Sequence, residues 1–139
     1  MLAFALAVAI AQAPAPPAWT ATTLEAAATE ANKKVLAGAK PLTITGEVVD
    51  VSCYTQLGKR GEAHKACGAS CVLAGAPVGI VTADNTLYIL MPEPHHPRRD
   101  GKASIAKEYA AKMASTVTVS GMSSEYGGIH TLFVAPAGN

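Results

Sequence analysis

All three cysteines of the chain lie in one stretch, Cys53 to Cys71, C-Y-T-Q-L-G-K-R-G-E-A-H-K-A-C-G-A-S-C, and a histidine falls at ligand spacing among them. Thiolate and imidazole are the donors zinc prefers in closed four-coordinate sites. If Glu62 to Ala74 form a helix at about 100° per residue, His64, Cys67 and Cys71 take relative angles of roughly 0°, 300° and 340° and share one face. Cys53 is expected at the end of the preceding apolar strand, ahead of a glycine-bounded loop, from which it supplies a fourth donor. Asp50, one strand step away, is placed either to accept the second imidazole N–H from outside the ligand set or to cap the loop. The expectation is a Cys3His centre of Cys53, His64, Cys67 and Cys71, holding one Zn2+ or Cu+ per chain.

Competing chemistries use the same residues. The C-x10-H-x2-C-x3-C spacing matches no standard zinc finger, and copper(I) favours soft thiolates. Met91, His95, His96 and Met122 would enlarge a copper site if the fold brought them near. A disulfide scaffold is a second possibility. Cys67 and Cys71 on an intact helix stand about 6 Å apart at Cβ, beyond the roughly 3.5–4.5 Å a disulfide needs. Cys53 with either of them is the feasible pair, and it leaves one thiol over. A thiol-disulfide oxidoreductase using Cys67 and Cys71 is a third. No G-x-S-x-G, H-E-x-x-H or phosphate-cradling glycine loop is present, and a catalytic thiol calls for one activated cysteine rather than three converging. The reading is of a metal-binding domain, not an enzyme.

The surrounding segments must hold that stretch in place. From Leu42 the apolar period is two, with Leu42, Ile44, Gly46 and Val48 on one side, which predicts a strand buried on one face. Gly46 within it predicts a bulge or a tight bend. Val78–Thr82 and Leu87–Met91 read as a hairpin, Ser104–Ala114 as a helix capped by Ser104, and Thr116–Ser120 and Ile129–Val134 as two closing strands. Ile105, Tyr109 and Met113 recur one turn apart as a core stripe. This order predicts a mainly β fold over 42–136. It is an OB-like five-stranded Greek-key barrel with the Cys/His helix inserted between the first two strands, or alternatively an open antiparallel α+β sheet.

The pattern Gly46-x3-Asp50-x2-Cys53, His64-x2-Cys67-x3-Cys71, Leu87-Tyr88 and Val117 to Gly121 resembles a family of short exported bacterial domains with a curled β architecture. The likeness covers nearly all of Leu42 to Val134. It implies an extracytoplasmic domain with a Cys/His cluster and supplies no activity.

Composition limits the partners. A formal net charge of +1, with 15% charged and 5% aromatic residues, gives neither a phosphate-neutralising field nor a stacking platform, so nucleic acid is not expected. Residues 1–13 carry no charged side chain and end in Ala11-Gln12-Ala13, a signal-peptidase pattern. The run is shorter than the ~20 residues a membrane span needs. A periplasmic or secreted location follows, without stable membrane insertion after cleavage. Residues 14–22 form a proline-rich spacer and 23–38 an N-terminal helix whose acids precede its lysines. Lys59, Arg60 and Lys65 are expected to ring the site. A disulfide-stabilised OB-like module for a peptide, glycan or protein partner is the competing function.

Overall fold

The computed structural model describes residues 37–92 and 104–135. The expected leader, spacer and N-terminal helix, apart from positions 37 and 38, and the pair His95 and His96 lie outside these residues. Among the described residues no helix is long and apolar enough to cross a membrane.

The elements in chain order are β1 (Lys40–Asp50), α1 (Val51–Leu57), a 3-10 turn (Glu62–His64), α2 (Lys65–Leu73), β2 (Val78–Thr82), β3 (Leu87–Pro92), α3 (Ala106–Ala111), β4 (Thr116–Tyr126) and β5 (Ile129–Val134). The strands close into a barrel in the order β1-β2-β3-β5-β4, and β4 pairs back onto β1. All pairs are antiparallel except β3 with β5. Closure replaces the alternative of an open sheet, because β1 is long enough to serve two neighbours. Its first part pairs β4 from Lys40 to Glu47, and its last part pairs β2 from Gly46 to Asp50.

Gly46 stands where those pairings overlap, opposite both Thr82 and Val117. A Cβ there would collide with the Val81 backbone. The ladder runs through it without a break, so the residue permits close backbone approach rather than a bulge. The period-two pattern holds: Ile44 and Val48 point into the core, and Thr43 and Thr45 face out, where their hydroxyls meet Ser120 at 2.7 Å and Thr118 at 2.8 Å.

Ile44, Val48, Ile80, Leu90, Val119 and Leu132 fill the barrel. From α3 and its flanks, Ile105, Tyr109 and Met113 are 5%, 5% and 2% exposed, so the expected stripe joins this core, and α2 adds Val72. The α3 helix is shorter than Ser104–Ala114, and its N-cap is Ile105, without a side-chain cap hydrogen bond, rather than the expected Ser104; Ser104 Oγ accepts from the Ala106 N–H at 3.3 Å from one residue further out. After α3, the Ala114 N–H donates to Val48 O and the Val48 N–H to Ser115 O, both at 3.0 Å. These two bonds extend the β1 ladder beyond the end of β4.

Candidate metal centre

The C-terminal end of β1 organises the site. Asp50 ends the strand and caps the helix that follows it: its Oδ1 accepts from the Ser52 N–H at 2.9 Å, satisfying one of the orphan donors of α1. The sequence V-S-C-Y-T-Q-L therefore turns helical immediately, and Thr55 Oγ1 donates back to Val51 O at 2.7 Å. Gly58, with φ 63°, closes the helix in a left-handed cap. Cys53 consequently sits in the first turn of α1, not at a strand end as the sequence suggested. The donor is displaced, but it stays beside Asp50.

His64 arrives by a different route. Glu47 Oε1 accepts from the Gly61 N–H at 2.6 Å, tying the loop back to β1. Gly61 O in turn accepts from the His64 N–H at 2.9 Å. Gly61 has φ 78° and ψ −178°, a region essentially reserved for glycine. His64 ends the 3-10 turn and precedes α2, with φ −106° and ψ −2°, so it is not part of one continuous helix from Glu62 to Ala74. The angular reckoning from the sequence therefore applies to Cys67 and Cys71 alone. They lie four residues apart on α2 and share its face.

Asp50, Cys53 and His64 come together: one ligand atom from each lies within 4.8 Å of the other two. Cys67 and Cys71 do not belong to that group. Asp50, expected either to orient the imidazole from outside or to cap the following loop, is itself a member of the group and also caps α1. Asp50 is 1% exposed, Cys53, His64 and Cys71 are half-buried, and Cys67 is exposed. All three thiols are free.

Two atoms of this group lack hydrogen-bond partners. Asp50 Oδ2 and His64 Nε2 are buried and unpaired, the only such side-chain atoms among the described residues. Leaving a buried polar atom unsatisfied costs about 1–3 kcal/mol, and more if it is charged. One carboxylate is thus divided, with Oδ1 building the helix and Oδ2 left for the site.

The thiols register the carboxylate's charge. Cys53 is pushed up to about 12, first by the interaction of its S–H with Asp50, then by desolvation and by the charges of Asp50, Cys71 and Cys67. A thiol is a weak donor, so this contact does not satisfy Oδ2. Burial first, then the charges of Cys67 and Asp50 and a contact with the Cys67 thiol, raise Cys71, while a contact with Cys53 pulls it down. The charges of Asp50 and Cys67, with burial, therefore disfavour the thiolates of Cys53 and Cys71, a conflict that a cation relieves.

Lys59 and Arg60 line a crevice with Asp50, Gly61, His64 and Met113. Lys65 instead pairs with Glu62 at 3.3 Å. Met122 and Met91 both stand in register with Phe133, and Met122 faces Pro41, at the opposite end of β1 from Asp50. Met122 therefore does not join the centre. Comparison of the chain with models of known protein families, with curated proteins and with solved structures returns no match, so the functional reading rests on this geometry.

Proposed function

We propose that this protein is an exported, non-enzymatic zinc-binding domain. The ion is held by a carboxylate oxygen of Asp50, Cys53 Sγ and an imidazole nitrogen of His64, and the half-buried Cys71 thiol, which is in contact with Cys53, completes four donors. The observation that carries this reading is that two of the three grouped residues, Asp50 and His64, each hold a buried, unpartnered atom, Oδ2 and Nε2, and the third is Cys53. A set of one oxygen, one nitrogen and sulfur suits zinc, whereas a carboxylate is a poor ligand for copper(I). Binding free energies of about 10–16 kcal/mol at structural zinc sites greatly exceed the cost of two orphaned polar atoms.

The closed barrel of order β1-β2-β3-β5-β4, with parallel β3 and β5 and a helix between β3 and β4, supports an OB-like Greek-key assignment. In that assignment α1, the 3-10 turn and α2 form an insertion between the first two strands, and the ion fastens it to β1. The export reading rests on residues 1–13.

The test is elemental analysis of protein purified from the periplasm without added chelator. One zinc per chain is expected in the wild type and loss of it in Cys53→Ser and His64→Ala. Wild-type protein without stoichiometric metal, and unable to take up zinc after reduction, would overturn the proposal.

A further inference from the structure

The three thiols form a graded series from solvent to the centre of the site. Cys67 is exposed, Cys71 is half-buried four residues further along the same helix face, and Cys53 is half-buried beside the fully buried Asp50. Neighbouring members of the series interact: Cys67 with Cys71, Cys71 with Cys53, and Cys53 with Asp50. Cys67 and Cys71 lie outside the group of atoms that Asp50, Cys53 and His64 bring together. A purely structural four-ligand centre has no need of an exposed thiol one helical turn from its edge.

We infer that Cys67 is an entry ligand, which captures a thiophilic cation from a thiol-bearing donor and passes it through Cys71 to the Asp50–Cys53–His64 centre. This rests on the zinc reading above and extends it from holding an ion to accepting one. In each step one metal–sulfur bond forms before another breaks. The incoming thiol loses its proton to water as it binds, and the departing thiolate regains one. No electron is transferred. The direction of travel follows from the donors: each step brings the ion nearer to the carboxylate and the unpartnered imidazole nitrogen, so the last position is the one that relieves the buried conflict.

The experiment measures how fast reduced, metal-free full chain takes zinc from a zinc–glutathione complex in stopped flow, together with equilibrium zinc affinity by competition with a chromophoric chelator. Cys67→Ser is expected to keep one zinc per chain with affinity within about threefold of wild type, and to load at least tenfold more slowly from zinc–glutathione. Cys67→His, which restores an exposed donor, is expected to recover most of the rate. Retained stoichiometry shows that the variants are folded. Loading of Cys67→Ser at the wild-type rate would overturn the relay and leave the zinc site standing. Loss of affinity in proportion to rate would also overturn it, by making Cys67 a ligand of the resting site. A wild type that takes no zinc from either source would overturn the metal reading and the relay with it.

Discussion

At the scale of the residue, Asp50 carries two separable duties. Its Oδ1 caps α1, and its Oδ2 is buried without a hydrogen-bond partner. Asparagine caps helices about as well as aspartate, so Asp50→Asn separates the duties. The metal-free variant should be at least as stable as wild type in thermal unfolding, because a buried unpaired carboxylate is removed. Its zinc affinity should fall by tenfold or more in chelator competition. The thiols add a pH dependence. The folded Cys53 value of about 12 lies above the ordinary 9.0. Protonated Cys53 therefore stabilises the metal-free fold below pH 9, and that contribution is lost as pH rises from 9 towards 12. The melting temperature of the metal-free protein should fall over this window, and less so in Cys53→Ser. Zinc binding has the opposite sign, since it requires thiolate: affinity should strengthen between pH 6 and 8, in isothermal titrations that also report proton release.

At the scale of the element, a single strand end sets all three positions. Asp50 is part of β1, Cys53 follows through the cap, and His64 is placed by the hydrogen bond from the Gly61 N–H to Glu47. Gly61→Ala should therefore cost about 1–3 kcal/mol in denaturant unfolding and weaken zinc binding, although the residue is no ligand. Glu47→Gln, which keeps an acceptor, should be milder than Glu47→Ala on both measures. Cys53 and His64 were legible in the sequence as donors, and so was the proximity of Asp50, although it was read as lying outside the ligand set and His64 as sharing one helix with Cys67 and Cys71. The path of the backbone between them was not. Val51, Tyr54 and Thr55 favour strands, so the segment read as a continuing strand until Asp50-x-Ser52 and Gly58 are recognised as the caps of a short helix. Likewise β4 runs to Tyr126 rather than stopping at Ser120. Gly121 looks like a terminator but is there because a Cβ would strike the Phe133 carbonyl of the neighbouring strand.

At the scale of the whole molecule, the barrel is a frame for the site, and Met113 of its core also lines the crevice beside Asp50 and His64. Period-two patterning and the stripe of Ile105, Tyr109 and Met113 were enough to place the five strands and the plug helix, because side-chain alternation reports burial directly. Whether the sheet closes depends on one strand serving two partners, which no local pattern encodes. Leu132 is wholly buried in this core. Leu132→Ala should destabilise the fold by about 2–5 kcal/mol while the folded fraction still binds one zinc. Metal should stabilise the molecule by mass action, about 2.7 kcal/mol at a hundredfold excess over the dissociation constant. The measurement that bears most directly on the central claim is zinc K-edge X-ray absorption on the stoichiometrically loaded protein, wild type beside Asp50→Asn. The account predicts a mixed shell in the wild type, with sulfur at about 2.3 Å and nitrogen and oxygen at about 2.0–2.2 Å, and loss of an oxygen contribution in the variant. A shell of sulfur alone, or spectra unchanged by the substitution, would contradict it.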